Sequence, residues 1–383
     1  MKKIALIGST GSIGRQTLSV VSRLNREYRI ISLAGGNNSQ EFLSQTEKFC
    51  PKIATLINPL SPEITRKFAS TDFFFGEEAF LEAITDEADI VVVALVGFTG
   101  IKAVLKAIEK GKTVALANKE SLVVGGELVS GLKKEKGVNL IPIDSEHSAI
   151  FQALSFDYAT PFEKIILTAS GGAFRDKTKD ELAFITAKDA LAHPNWNMGA
   201  KITIDCATLV NKAFEVIEAR WLYDAPFDKI DVVVHRESII HSMVGFRDGS
   251  VIAQMGYPTM EIPIQLALTY PKREETGFKI PDFSRIGSLN FSSLDREKFP
   301  CFDAVVNAGK KGGLYPAVCN GANDEAVGMF LKGEIGYNDI YSSVCGALDK
   351  FSDNISGTPA YSDLEYADSF GARYVREKFG RKS

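Results

Sequence analysis

Two acidic clusters in the chain carry side chains that can hold a divalent metal ion. The first consists of Asp144 and Glu146, which follow a predicted strand at residues 139–143. In an extended chain both carboxylates project to the same side, at the carboxyl end of a parallel strand, where α/β sheets place their chemistry. Oxygen ligands of this kind suit Mg²⁺ or Mn²⁺ better than Zn²⁺. Helix capping by Asp144 or Ser145 is the structural alternative, because a helical run begins at His147.

The second acidic cluster lies on a predicted long helix over residues 208–223. Asn211 and Glu215 share one face of this helix, and Lys212 lies three residues before Glu215. The rest of the helix is apolar, so we expect these polar side chains to be buried. A structural Lys212–Glu215 salt bridge is one interpretation. A metal site is the other, and it requires Glu215 to meet the first cluster, because three carboxylates repel one another unless a cation neutralises them.

Two loops between these clusters carry groups that could bind a substrate. Ser170-Gly171-Gly172 is a small-residue turn after a predicted strand, and its amides and hydroxyl could hold an oxyanion. The segment from His193 to Gly199 joins an imidazole, the Trp196 indole and a thioether. An exposed loop of this composition is costly unless it covers something, so it predicts either a substrate lid or a segment packed on the core.

The first turn of the chain has the spacing of a dinucleotide-binding loop. Gly8, Gly11 and Gly14 form a GxxGxxG pattern between a predicted strand and a predicted helix. Glycines let the backbone approach a pyrophosphate, whose charge the helix N-terminus favours. The turn after the second predicted strand, Gly35-Gly36-Asn37-Asn38, offers amides and no acid, whereas NAD sites usually place an Asp or Glu there. NADPH is therefore favoured over NADH, with a plain polar turn as the alternative.

Alternating strands and helices position these groups. Continuous apolar strands separated by amphipathic helices predict an α/β fold, a Rossmann-like doubly wound parallel sheet, over residues 1–143. A central α+β catalytic domain is predicted over residues 144–270, a connector over 271–300 and a small C-terminal helical domain over 301–383. The predicted strands of the first domain are residues 3–7, 29–33, 53–57, 90–96, 113–117 and 139–143.

Composition excludes several classes of protein. The 383 residues carry 44 basic and 48 acidic side chains, a net charge of −4, so no nucleic-acid partner is expected. The five cysteines form no CxxC pair and are interpreted as free thiols in a reducing compartment. The longest apolar stretch, at residues 90–98, is far shorter than the roughly 20 residues that cross a bilayer. We therefore expect a cytoplasmic protein without a membrane segment or transit peptide.

The motifs together resemble those of one enzyme family, 1-deoxy-D-xylulose 5-phosphate reductoisomerase of the non-mevalonate isoprenoid pathway. The resemblance covers essentially the whole chain and agrees in the order and spacing of the motifs. It is carried by Gly8 to Gly14, Leu116 to Val123, Asp144-Ser145-Glu146-His147, Ser170-Gly171-Gly172, His193-Pro194-Asn195-Trp196, Asn211-Lys212-Ala213-Phe214-Glu215 and Val234 to Met243.

The resemblance implies a rearrangement of a small phosphorylated sugar, 1-deoxy-D-xylulose 5-phosphate, followed by its reduction with NADPH. It implies a Mg²⁺ or Mn²⁺ ion held by Asp144, Glu146 and Glu215, which act in catalysis with Lys119 and His193. The substrate-binding residues that it implies are Lys119, Ser145, Glu146, Ser170, His193, Trp196, Cys206, Asn211, Lys212 and Glu215. The NADPH-binding residues that it implies are Thr10, Gly11, Ser12, Ile13, Gly36, Asn37, Asn38, Asn118, Glu120 and Gly199. A homodimer is also implied, with the predicted hairpin at residues 238–255 as a candidate surface.

One position departs from the family's pattern. Cys206 lies where the family commonly has a serine that donates to the substrate phosphate. A thiol is a weaker donor than a hydroxyl, so we expect weaker phosphate binding. Position 37 also varies, since related proteins can carry a lysine where this chain has Asn37.

Two other functions compete with this interpretation. Another NADP-dependent dehydrogenase, such as a homoserine or semialdehyde dehydrogenase, would explain the glycine loop but would need no metal triad. A dinucleotide-sensing module without catalysis would be expected to have lost the carboxylates or Lys119, yet all are present. The sequence leaves open whether the rearrangement is a retro-aldol and aldol sequence or a concerted migration.

Overall fold

The computed structural model of the chain describes residues 1–24, 27–190, 198–353 and 357–380. The contacts divide the chain into two units. The N-terminal unit consists of Met1–Ser121, Val129–Ser148 and Thr259–Phe278. The C-terminal unit consists of Leu122–Leu128, Ala149–Pro258 and Lys279–Ser383.

Strands and helices alternate in the first part of the chain, and helices dominate the last. The strands are β1 (Lys2–Ile7), β2 (Tyr28–Ala34), β3 (Ile53–Leu56), β4 (Asp72–Phe75), β5 (Ile90–Val93), β6 (Thr113–Leu116), β7 (Leu140–Pro142), β8 (Lys164–Ala169), β9 (Ile230–Val234), β10 (Ile240–Gly245), β11 (Val251–Met255) and β12 (Ser292–Ser293). The α-helices are α1 (Ser12–Arg23), α2 (Ser39–Phe49), α3 (Pro62–Thr65), α4 (Gly100–Glu109), α5 (Glu120–Val123), α6 (Gly126–Lys136), α7 (Ser145–Ala153), α8 (Ala187–Ala190), α9 (Ala200–Ala207), α10 (Val210–Leu222), α11 (Glu261–Thr269), α12 (Phe283–Ile286), α13 (Pro300–Lys311), α14 (Tyr315–Leu331), α15 (Tyr337–Lys350) and α16 (Tyr361–Lys378).

The N-terminal unit is built on a parallel sheet in the order β4-β3-β2-β1-β5-β6-β7. Residues 4–7 of the central strand β1 and all of β5 are apolar and buried, as expected when helices cover both faces of a sheet. The strand order reverses between β1 and β5, and α/β sheets bind ligands at the carboxyl ends of the strands at such a point. The predicted Rossmann-like sheet is confirmed, and its strands end within a few residues of the predicted bounds.

A late helix also belongs to the N-terminal unit. The predicted central domain, residues 144–270, includes α11, which packs on α1 in the N-terminal unit. Seven consecutive residues of α11, from Pro263 to Thr269, are buried, and the Arg23 guanidinium lies 2.5 Å from the Glu261 carboxylate. The predicted domain boundaries at residues 143, 270 and 300 stay predictions. The return of the chain to the first sheet is a tertiary arrangement that its local sequence pattern does not reveal.

The C-terminal unit combines a mixed sheet with helices. The sheet order is β11-β10-β8-β9-β12, in which β8 and β9 are parallel and the other neighbours are antiparallel. The predicted hairpin is found as β10 and β11, and the predicted long helix is found as α10. The predicted helical region follows as α13 to α16. In the parts of the chain that the structure describes, no helix has the length and apolarity that crossing a bilayer requires.

Candidate active site

The glycine loop lies at the point where the sheet order reverses. Gly8 has φ +95°, and a Cβ there would press on the Ala94 carbonyl that follows β5. The backbone N–H groups of Gly8 and Ser9 donate to the Ala34 carbonyl at the end of β2, at 2.9 and 2.8 Å. Helix α1 then begins at Ser12, so the loop places the helix N-terminus at the carboxyl edge of the sheet. This arrangement suits a pyrophosphate.

The turn after β2 is tied to α2. Asn38 caps α2, because its side-chain oxygen accepts from the N–H of Glu41 at 3.2 Å. The Asn38 amide donates in return to the Glu41 carboxylate at 2.9 Å. Asn37 and Gly36 precede this cap at the open end of the turn. An acid that was not predicted, Glu41, therefore lies beside the turn, and its position three residues after Asn38 was a usable signal.

Asn118 and Glu120 are buried and form hydrogen bonds with the loop that follows β5. The Asn118 amide donates to the carbonyls of Leu95 and Gly97 at 3.1 and 3.0 Å, and to the Glu120 carboxylate at 2.8 Å. The other Glu120 oxygen accepts from the Gly97 N–H at 3.0 Å. These contacts fix the loop that follows β5 at the carboxyl edge of the sheet. Asn118 and Glu120 were both predicted to bind the cofactor.

Asp144 serves as a helix cap and as an ion-pair partner. Its Oδ1 accepts from the N–H groups of Glu146 and His147, at 3.1 and 3.2 Å, which caps α7. Its Oδ2 meets the Lys119 ammonium, and the Ser145 hydroxyl donates to Glu146. The structure thus brings four predicted site residues together in the N-terminal unit. The capping interpretation is confirmed and leaves the second Asp144 oxygen directed at a cation.

The second acidic cluster is buried on α10 in the C-terminal unit. Glu215 is 1% exposed, and its two oxygens accept from the Asn211 amide, at 2.7 Å, and from the Lys212 ammonium. Leu209, with φ 61°, turns the chain between α9 and α10 and so sets the start of the helix that carries these groups. The predicted salt bridge is present. Glu215 is therefore a buried carboxylate whose negative charge is offset by the Lys212 ammonium.

The small-residue turn after β8 packs against the end of α9. Gly172 has φ +69°, and a Cβ there would collide with the Cys206 carbonyl. The Ser170 hydroxyl accepts from the Gly172 N–H at 3.3 Å, and the Arg175 guanidinium donates to the Ser170 carbonyl at 3.1 Å. The turn that carries Ser170 therefore packs against the backbone at the end of α9, which carries Cys206. Their roles in binding an anion stay predictions.

Two charged side chains, Arg175 and Lys298, form hydrogen bonds that hold the residues around this turn. Arg175 also donates to the Arg236 carbonyl at 3.3 Å, which ties the turn to the chain after β9. The Lys298 ammonium donates to the Arg175 carbonyl at 3.0 Å. Partial burial lowers the pKa of Lys298, against the opposing effect of Asp295. These two long-range contacts could not be predicted from the sequence, because the Arg236 and Arg175 carbonyls lie 61 and 123 positions away from their donors.

Helix α9 carries the remaining predicted residues of this region. Gly199 precedes its first residue. Asp205, next to Cys206, is buried, and it accepts from Lys201 at 3.0 Å and from the Asn323 amide of α14 at 2.8 Å. These bonds fix α9 to the helical bundle. His193 and Trp196, predicted as substrate and lid residues, lie outside the described residues.

The cysteines are all free thiols, as predicted. Burial raises the pKa of the Cys301 and Cys319 thiols far above the usual value, and burial also raises the pKa of Cys345. A raised pKa keeps these thiols protonated and unreactive near neutral pH. They therefore belong to the packing of the helical bundle.

Comparison with known proteins identifies the family. Three family models match, described as 1-deoxy-D-xylulose 5-phosphate reductoisomerase over residues 4–126, its C-terminal domain over 140–223, and DXP reductoisomerase C-terminal domain over 255–371. The reductoisomerase of Geobacillus sp. (strain WCH70) is 47% identical over 380 residues, covering 98% of this chain and 99% of that protein. The enzyme of Bacillus subtilis (strain 168) is 47% identical over 387 residues, with the same coverage.

Solved structures agree with the sequence relatives. The reductoisomerase from Zymomonas mobilis in complex with NADPH is 38% identical, with a TM-score of 0.91 and full coverage of both chains at 100%. A DOX-P reductoisomerase in complex with NADPH, fosmidomycin and magnesium is 35% identical, with a TM-score of 0.93 over 99% of this chain and 98% of that one. On sequence, fold and the presence of both acidic clusters, this chain belongs to the 1-deoxy-D-xylulose 5-phosphate reductoisomerase family.

Proposed function

We propose that the chain converts 1-deoxy-D-xylulose 5-phosphate to 2-C-methyl-D-erythritol 4-phosphate, with NADPH as the reductant, in isoprenoid precursor biosynthesis. The observation that supports this most strongly is membership of the family over 98% of the chain. Both acidic clusters and the glycine loop that the reaction needs are present. The relatives bound to NADPH, fosmidomycin and magnesium support the same cofactor and a divalent metal for this chain.

A divalent ion, Mg²⁺ or Mn²⁺, is proposed to bind Asp144, Glu146 and Glu215, a group of residues that could hold a metal ion. The donor set fits a hard cation, because all three ligands are carboxylate oxygens. Lys119 pairs with Asp144 and Lys212 pairs with Glu215, so these two ammonium groups already offset part of the negative charge of the three carboxylates. When bound, the metal supplies Lewis-acid polarisation of the substrate's carbonyl and neighbouring hydroxyl oxygens.

The chain's own residues bind and orient the sugar phosphate in this proposal. Ser170, Asn211 and Lys212 bind the phosphate with Cys206, and this remote anchor helps to drive closure by His193 and Trp196. Lys119 and Ser145 contact the oxygenated carbons, where the Lys119 ammonium stabilises developing negative charge. A closed site also excludes water from reactive intermediates.

NADPH is proposed to lie along the carboxyl edge of the parallel sheet, where it supplies the hydride. Its binding residues are proposed to be Thr10, Gly11, Ser12, Ile13, Gly36, Asn37, Asn38 and Gly199, with Asn118 and Glu120 holding the loop after β5. The free N–H groups at the start of α1 suit the pyrophosphate. We also propose that the protein is cytoplasmic and forms a homodimer.

The test is NADPH oxidation with 1-deoxy-D-xylulose 5-phosphate, after chelation and then with Mg²⁺ or Mn²⁺ added back. Glu215→Gln should lower kcat by about 100-fold, the usual effect of removing a charge that acts on the transition state. It should also weaken Mn²⁺ binding measured calorimetrically without substrate. Asp224→Asn is the control, because it removes an exposed carboxylate just after the same helix. Turnover that needs no metal, or that survives Glu215→Gln, would contradict the proposal.

A further inference from the structure

Arg15 places a cation beside the turn that ends β2. This turn, Gly36-Asn37-Asn38, contains no charged residue of its own, although the 2′-phosphate of NADPH carries the charge that distinguishes it from NADH. Arg15 lies in the first turns of α1, directly after the glycine loop. Its side chain is 54% exposed, so its guanidinium is accessible to a ligand.

One carboxylate connects this guanidinium to the turn. The Arg15 Nη1 donates to the Thr10 carbonyl at 2.9 Å and lies 3.5 Å from Oε2 of Glu41. The same Glu41 oxygen accepts from the Asn38 amide at 2.9 Å. Arg15 and Asn38 therefore flank a single oxygen atom. Both contacts of Arg15 involve Nη1, and a guanidinium has further N–H donors.

The charges at this place explain why an arginine is needed. An acid near the end of the second strand favours the ribose 2′-hydroxyl of NADH and repels a 2′-phosphate. Glu41 is such an acid, and its side chain is 26% exposed. Arg15 offsets its charge, and a guanidinium binds phosphate through paired N–H donors. Glu41 alone would favour the ribose 2′-hydroxyl of NADH at this place. The Arg15 guanidinium beside it supplies the positive charge that a phosphate requires.

We infer that Arg15 is a specificity-determining residue that binds the 2′-phosphate of NADPH, with Glu41 holding its guanidinium beside the Asn37-Asn38 turn. This inference rests on the proposed use of NADPH. The alternative role for the same side chain is to position the glycine loop through its bond to the Thr10 carbonyl. The glycine loop serves both nicotinamide cofactors, so that role would affect NADPH and NADH equally.

The experiment compares cofactors that differ only in the 2′-phosphate. KM for NADPH and for NADH is measured for Arg15→Gln, Arg15→Lys and Glu41→Gln, and adenosine 2′,5′-bisphosphate and 5′-AMP are titrated calorimetrically. Arg15→Gln should raise KM for NADPH by about tenfold or more, as expected for one charge-assisted hydrogen bond, and leave KM for NADH unchanged. Arg15→Lys should rescue part of that loss. Glu41→Gln keeps a side-chain oxygen for the contact with Arg15 and removes the negative charge. It should therefore lower KM for NADPH and not KM for NADH, because the charge of the arginine is then no longer offset.

Arg29→Gln is the matched control, because Arg29 is an exposed arginine at the start of β2, at the opposite end of that strand. It should leave the NADPH-to-NADH ratio unchanged. An equal effect of Arg15→Gln on both cofactors, or none on either, would overturn the inference. If Arg15→Gln does not fold, an unchanged ratio in Glu41→Gln overturns it instead. A wild-type protein that binds the bisphosphate over 5′-AMP but does not turn over the sugar phosphate would contradict the proposed function and leave this inference intact.

Discussion

Cys206 allows a test of a single atom in the proposed phosphate site. The residue lies in the last turn of α9, and its backbone carbonyl is next to Gly172 of the Ser170-Gly171-Gly172 turn. A thiol donates a weaker hydrogen bond than a hydroxyl. We expect Cys206→Ser to lower KM for the sugar phosphate by about threefold, a fraction of the value of a neutral hydrogen bond. Steady-state kinetics at saturating NADPH measures it.

The control for this prediction is Cys345→Ser. Cys345 lies on α15 and is not among the residues proposed to bind the phosphate. It should leave KM unchanged. An unchanged or raised KM in Cys206→Ser would mean that the thiol does not face the phosphate, or that it contributes through packing.

At the residue scale, contacts between residues close together in the chain could be predicted, and contacts between distant residues could not. Asp144 was predicted either as a cap or as a metal ligand, and the structure gives its two oxygens separate partners, so the capping interpretation does not exclude the other. The pair of Arg15 with Glu41 could not be predicted, because 26 positions separate them and helix packing brings them together. Pairs within one helix, such as Lys212 and Glu215, follow directly from helical spacing.

At the element scale, the turn after β8 depends on close backbone approach. Gly172 combines a positive φ with contact against the Cys206 carbonyl, so Gly172→Ala adds both strain and a collision. We expect it to reduce the free energy of unfolding by about 3 kcal/mol and to raise KM for the sugar phosphate, because α9 must shift. Chemical denaturation and steady-state kinetics measure the two effects.

Gly249 separates the strain from the collision. Its φ is +85°, and a Cβ there would meet nothing within 4 Å. Gly249→Ala should therefore cost only the backbone strain, about 1–2 kcal/mol, and leave KM unchanged. Equal stability losses in the two variants, with KM unchanged in both, would show that the contact with Cys206 has no role in shaping the proposed phosphate site.

The elements that the sequence predicted best are those whose apolar pattern is decisive. Buried runs such as β5 were found, whereas β4 at the sheet edge was missed. β4 contains three consecutive phenylalanines, but three of its four residues are exposed, and so short an apolar run does not by itself distinguish an edge strand from other structure. Likewise, the stretch predicted as a connector contains the short α12 and β12, and β12 pairs with β9. Two-residue strands depend on their partner strand and have no local pattern to read.

At the scale of the whole molecule, the order of the motifs along the chain was sufficient to indicate the family. The folded units were harder to predict, because the N-terminal unit is assembled from three separate segments. Its last segment, residues 259–278, lies more than a hundred residues after the previous one. Family motifs are local and survive such rearrangement, whereas domain boundaries drawn from composition assume that each unit is continuous.

The proposed homodimer can be tested at the edge of the mixed sheet. β11 is the terminal strand, and two of its apolar side chains, Val251 and Ile252, are 54% and 46% exposed. An exposed apolar edge strand invites pairing with another chain, and natural proteins protect such edges with charge or cover them. A second copy of the chain that covers β11 would account for these exposed apolar side chains at the edge of the sheet. Ile252→Lys should then shift the protein from dimer to monomer in light scattering, because a lysine buried between two copies cannot be paired.

Tyr366→Lys provides the comparison for this prediction. Tyr366 lies on α16 and is 58% exposed, so its replacement tests whether any apolar-to-lysine change on the surface disturbs assembly. It should leave the mass unchanged. A dimer that persists in Ile252→Lys would exclude β11 as the interface and direct attention to other surfaces. A monomeric wild-type protein would contradict the dimer itself, and the exposed edge would then need another explanation.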